Sequence, residues 1–143
     1  MLKRLPVSML LLLLLVSACT RPIELGSDFV TMSEHFAEAM RWQDFPGASR
    51  FLGTAEREAF LDQFPRNKDL HMVEVSFEEV DLNQAEGRAE AVLLVEYYLL
   101  PSVTVREWRW TQQWRRMETS SSGGGMWMIQ SPPPAFPAPE TAK

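Results

Sequence analysis

One thiol, two imidazoles, a few carboxylates and a stripe of indoles are the side chains of this chain that could carry chemistry. Cys19 is the sole cysteine among 143 residues and directly follows the small residues Ser17 and Ala18. A lone cysteine in an exported chain has no internal disulfide partner, so its thiol is either free or modified. His35 and His71 lack a cysteine or second histidine at ligand spacing, so neither a metal site nor a cofactor is expected. Glu74, Glu78 and Glu79 would suit acid–base work only if buried or crowded by like charge. Alternation with Val73, Val75 and Phe77 instead places Glu74 and Glu78 on a solvated face. Glu96 can share a strand face with Tyr98 but not with Tyr97, because neighbouring strand residues point to opposite sides. Neither a nucleophile elbow nor a phosphate-binding glycine loop occurs, and Gly123-Gly124-Gly125 reads as a flexible loop. No catalytic residue is assigned. Trp108, Trp110 and Trp114 stand at strand spacing and support two readings. They are core, each ring burying about 150–250 Å², or with Tyr97 they line an apolar pocket whose ends carry Arg106 or Arg116. Core is the weightier account.

What precedes Cys19 explains its position. Lys3 and Arg4 give a positive flank, and residues 7–16 are almost wholly apolar, with six consecutive leucines from Leu10 to Leu15. The apolar run is ten residues long, whereas a spanning helix needs about 20. Positive flank, short apolar run and small-residue exit are the parts of a secretory signal peptide. Val16-Ser17-Ala18-Cys19 resembles the bacterial lipobox, an aliphatic residue and two small ones before cysteine. That resemblance implies cleavage after residue 18 and lipidation of Cys19, usually with three acyl chains. Several chains are needed because each buried CH₂ contributes only about 0.8 kcal/mol. Thr20, rather than aspartate, follows the cysteine. By the same resemblance the protein is expected at the outer membrane, facing the periplasm.

Residues 1–18 are thus expected as a signal peptide and residues 19–26 as a lipidated tether. Residues 20–26, fully extended, reach about 25 Å and keep the following domain near the bilayer. Two of the 14 basic residues leave with the signal, so the mature chain has 12 basic and 19 acidic residues, net −7. That balance disfavours nucleic acid as a partner. Five tryptophans and eight phenylalanines supply enough apolar surface for one ordinary domain without disulfides.

Any pocket must be positioned by the elements of residues 27–131. Ser27 reads as an N-cap, and Phe29, Val30, Met32, Phe36, Ala37 and Met40 recur at helical spacing to about Gln43. Asp44 caps a short helix holding Ala48, Phe51 and Leu52, with Pro46 tolerated in its first turn. Gly53 stops it, and Thr54 starts a third helix through Ala55, Ala59, Phe60 and Phe64 to Pro65. The period then changes to two. Val73, Val75 and Phe77 begin a strand, while Val80 and Leu82 continue on the other phase, predicting a bulge near Glu78-Glu79. Residues 88–100 form a strand with Ala91, Leu93, Val95, Tyr97 and Leu99 on one face and Val92, Leu94 and Tyr98 on the other. Residues 103–117 form the tryptophan strand, and 126–130 a short fourth. Residues 132–143, with five prolines, read as a mobile tail. Such segments can also dock in aromatic grooves.

Helices followed by an antiparallel meander define an α+β class, with two or three N-terminal helices packed on a curved sheet of about four strands. This order, with Trp42-Gln43-Asp44-Phe45 and the Ala48, Phe51-Leu52 pattern, resembles the nuclear-transport-factor-2-like superfamily over residues 27–131. The resemblance implies a cone with its pocket between helices and sheet. Enzymes of that superfamily place an aspartate base and a tyrosine donor there, a pair with no convincing match in this sequence. It also implies dimers made through the sheet. The resulting expectation is a non-catalytic binding or assembly module, attached to the membrane by its lipid and meeting a protein partner or a second copy. The alternatives are a cone-pocket enzyme of proton transfer or hydrolysis, and a carrier of a small hydrophobic ligand.

Overall fold

The computed structural model describes residues 27–64, 68–118 and 125–136. Among them are helices α1 (Ser27–Arg41), α2 (Phe45–Ser49) and α3 (Thr54–Gln63). Strands β1 (Leu70–Asn83), β2 (Arg88–Leu99), β3 (Arg106–Glu118) and β4 (Gly125–Ile129) follow. The strands form one antiparallel sheet in sequence order. The chain is therefore α+β, with its helices against one face of an open meander.

Helix α1 buries Phe29, Ser33, Phe36, Ala37 and Met40. These positions repeat at four, three, one and three residues, one stripe of a helix turning about 100° per residue. Val30, expected in that stripe, falls at its very edge, about 20° beyond Ala37, and is 49% exposed. Ser33 sits one turn beyond Phe29 and so is drawn inside. Its hydroxyl is satisfied by donating to Val30 O at 2.9 Å, which makes the burial of a polar group tolerable.

Two residues past the end of α1 stands Gln43, whose φ of 57° is the left-handed conformation common just past a helix terminus. Its side-chain amide donates to Leu70 O at 3.0 Å, while Arg41 donates to Val75 O at 2.9 Å. These two side chains cover outward carbonyls of β1, an edge strand. Asp44 caps α2 by accepting from Gly47 N at 3.0 Å, as expected from the sequence. The segment leading to α3 closes the other edge of the sheet. Leu52 makes a parallel bridge to Ile129, Gly53 N donates to Ile129 O at 3.0 Å, and Ile129 N donates to Phe51 O at 2.7 Å.

The alternation holds throughout β2, and in β3 as far as Trp114. Ala89, Ala91, Leu93, Val95, Tyr97 and Leu99 point inward, opposite Trp114, Gln112, Trp110 and Trp108 across the ladder. Small Ala89 and Ala91 stand beside Trp114 and Gln112, leaving room for the bulky neighbours and for the helix rings above. Strand β3 begins at Arg106, opposite Tyr97, rather than at Val103, and Val103 and Val105 stand exposed before it. Strand β1 carries the bulge foreseen between Glu78 and Val80, with Glu79 at φ 45°. It also has a second irregularity, between Met72 and Glu74. Val73, expected inward with Val75 and Phe77, is the extra residue there and is 47% exposed, while Met72 packs on the core. Gly87, at φ 61°, turns β1 into β2, and its carbonyl accepts from Arg116 N at 2.8 Å.

Candidate binding site

The four aromatic residues singled out in the sequence divide into two groups. Trp110 and Trp114 lie deep between helices and sheet. Trp110 meets Phe36 at 6.1 Å and Phe60 at 6.2 Å between ring centroids. Trp114 meets Phe29 at 5.6 Å and Phe36 at 5.9 Å. Most of these contacts are edge-to-face, the geometry favoured by the ring quadrupole. These two indoles are core.

Tyr97 and Trp108 stand nearer the other end of the same inward face, where α3 finishes. Phe64, the residue after α3, stacks on Phe45 at 4.7 Å and meets Trp108 edge-on at 5.8 Å. Together with Gln63 they frame a mouth, and the mouth is filled. Phe136 lies 4.7 Å from Tyr97, 4.9 Å from Phe64 and 5.4 Å from Trp108 between centroids.

Three side-chain hydrogen bonds hold the segment that delivers Phe136. Trp108 Nε1 donates to Ala135 O at 3.3 Å, and Gln63 Nε2 donates to Pro133 O at 3.3 Å. Phe136 N donates to Gln63 Oε1 at 2.8 Å. Pro133 is buried and Phe136 half-buried. The proline-rich segment, expected above as a mobile tail from residue 132, is thus seated against the domain through Phe136. Proline removes ladder donors and so rules out strand pairing, but it does nothing to prevent an aromatic ring nearby from packing. Residues 137–143 lie outside the described residues.

Burial raises the Tyr97 phenol above its ordinary pKa, and the nearby Arg106 guanidinium pulls partly the other way. A phenol in this state stays protonated through the neutral range and is no base there.

The interior holds one further polar group. Gln112, fully buried between Trp110 and Trp114, accepts from Trp114 Nε1 at 3.0 Å through Oε1. Its Nε2 and the indole nitrogens of Trp110 and Trp127 have no partner. Besides the Tyr97 phenol and the indole nitrogens, Ser33, Ser49 and Gln112 are the buried polar side chains among the described residues, and none of these three is an acid or a base.

The other candidates lie outside this interior. His35 is exposed on α1, and His71 stacks flat on Tyr98 on the outer sheet face, centroids 4.9 Å apart. Glu74, Glu96 and Glu107 are neighbours across three strands of that outer face. Glu96 thus shares its face with Tyr98, as the alternation requires. Arg109 pairs with Glu78 and, at 3.3 Å, with Glu107. The hydrogen bond to Glu107, with help from Glu78, raises the Arg109 pKa further, so it is a permanent cation on a solvated face. Arg116 is drawn to Asp28 at 3.6 Å, across from the start of α1. Among the described residues no three histidine, cysteine, aspartate or glutamate side chains are grouped to hold a metal ion. Cys19, the expected lipidation site, and Gly123-Gly124 lie outside the described residues.

Sequence reasoning found Tyr97 and Trp108 but missed Gln63, Phe64 and Phe136 as parts of one site. Phe136 is the sole large apolar side chain among residues 132–143, and that isolation was the available signal. Gln112 was also legible, since it occupies the inward phase of Trp108, Trp110 and Trp114. Comparison with family models, curated proteins and solved structures returns no match.

Proposed function

We propose that this chain is a lipid-anchored envelope protein whose cone-like domain is a non-catalytic binding or assembly module. Anchoring rests on the lipobox-like run ending at Cys19, with Thr20 favouring the outer membrane and the periplasmic side. Among the described residues no helix is long and apolar enough to cross a membrane. The helix-then-meander order is compatible with a place in the nuclear-transport-factor-2-like superfamily. The observation that carries the binding role is the filling of the cone. Phe36, Phe60, Trp110 and Trp114 occupy the volume where an enzyme or carrier of this shape would hold its ligand, and the titratable group buried on that face, the Tyr97 phenol, is held in its protonated form. The aromatic-rich mouth, covered by Phe136, is then the surface best equipped for recognition.

The test is intact mass and membrane fractionation of the native chain beside Cys19→Ser. The expected result is an acyl mass increment on a chain starting at Cys19, lost in the variant together with membrane partitioning. A soluble, unacylated native chain would refute the anchor.

A further inference from the structure

Proline-rich segments suit aromatic surfaces for a physical reason. A proline has no N–H to desolvate and a fixed φ, so little entropy is lost on docking, but its carbonyls still need donors. The mouth of this domain supplies what such a segment requires. Aromatic faces come from Phe64, Tyr97 and Trp108, and the indole N–H of Trp108 meets one carbonyl. The Gln63 amide does two things at once: it donates to Pro133 O and accepts from Phe136 N, spanning the segment like a clip.

The attachment is also separable from the fold. Among the described residues, no backbone-to-backbone hydrogen bond holds residues 132–136. The ladder ends one step earlier, where Gln130 N donates to Gln113 O at 2.8 Å and Ser131 Oγ accepts from Gln113 N at 3.0 Å. Release of residues 132–136 breaks three side-chain bonds and one ring seat and leaves every strand pairing intact. Pro132, Pro134 and Ala135 already face solvent.

From this we infer that the mouth is a recognition groove for a proline-rich segment followed by an aromatic residue. The chain's own Pro132-Pro133-Pro134-Ala135-Phe136 occupies it in cis, and the same kind of segment on a partner polypeptide displaces it. This rests on the binding-module reading and names its ligand class; it is independent of the anchor. A cis occupant acts at an effective concentration of about millimolar and so masks the groove until it is outcompeted or released.

The test uses the full chain and a fluorescent peptide of sequence SPPPAFPAPETAK, followed by anisotropy. Phe136→Ala empties the ring seat in cis while leaving Gln63, Phe64, Tyr97 and Trp108 in place. Apparent affinity for the peptide is expected to rise about tenfold or more over the unaltered chain. A peptide with alanine in place of its phenylalanine should lose that binding, and so should the double variant Phe136→Ala with Gln63→Leu. Hydrogen exchange of the unaltered chain provides a second readout. The amides of Ala135 and Phe136 should exchange by local opening, well before those of Trp114 and Ile129.

Failure of folded Phe136→Ala to bind the peptide would overturn the inference. So would exchange of Ala135 and Phe136 only through global unfolding, including the case in which Phe136→Ala does not fold. A tail-exchanged dimer of the unaltered chain in sedimentation would make a second copy the occupant and would overturn the partner assignment. None of these outcomes bears on the acylation of Cys19, which the mass measurement reads separately.

Discussion

Helix α1 offers a sharp test of how the domain is held together, because two of its apolar residues have opposite fates. Phe36 is fully buried and its ring contacts Phe51, Phe60, Trp110 and Trp114 at centroid distances of 5.9 to 6.4 Å. Val30, six residues earlier on the same helix, is half in solvent. Phe36→Ala removes the ring at the meeting point of helices and sheet, and none of the surrounding indoles can collapse into the space without leaving its own strand position. The cost should fall in the upper part of the range for buried phenylalanine, about 3–5 kcal/mol. That is a large share of a domain's total stability of about 5–15 kcal/mol. Val30→Ala should change stability by no more than about 0.5 kcal/mol, as surface substitutions do. Urea unfolding followed by tryptophan fluorescence measures both, and an unchanged dependence on denaturant would show that only stability moved. If Val30→Ala costs as much as Phe36→Ala, α1 is rotated from the position described and the account of the core fails.

Two further outcomes follow from local geometry. Glu79→Gly should stabilise the domain by about 0.5–1 kcal/mol in the same assay, since a glycine at φ 45° removes side-chain strain that exceeds its entropic cost; destabilisation would show that the Glu79 side chain contributes more than its backbone conformation costs. The raised Tyr97 pKa fixes the sign of a pH effect: an acid that is harder to ionise when folded contributes stability below its unfolded pKa of 10.0, and this is lost as pH rises through the folded value. Unfolding free energy should therefore fall above pH 10 in the native chain and fall less in Tyr97→Phe, with equal slopes refuting the burial of that phenol.

How much of this was readable in advance varied with the kind of signal. Strand β2, and β3 as far as Trp114, were legible because one face there lies in the core, so a strict period of two survives in the sequence. Strand β1 was only half legible. A change of phase at Glu78-Glu79 shows in the pattern, but the irregularity at Val73 does not, since valine suits either side of a strand and its neighbours give no second phase to compare. In α1 the misreading of Val30 came from ranking residue type above angle: Ser33 sits nearer the middle of the buried stripe than Val30 does, and its hydroxyl can satisfy itself on the turn below. The mouth was least legible. Gln63, Phe64, Tyr97, Trp108 and Phe136 come from three distant parts of the chain, and a proline-rich composition reports what a backbone cannot pair with, not what a single ring can fill.

The seating of Phe29 has a mechanical consequence. Its ring is held edge-on between Trp114 at 5.6 Å and Trp127 at 5.1 Å, and Asp28 beside it reaches Arg116. Traction on the chain from the amino-terminal side of Ser27 therefore reaches β3 and β4 within three residues, before it can load the hydrogen bonds of α1. The helix does not peel turn by turn under such a pull. Load passes sideways into the sheet, and the aromatic seat is the fuse that must fail first.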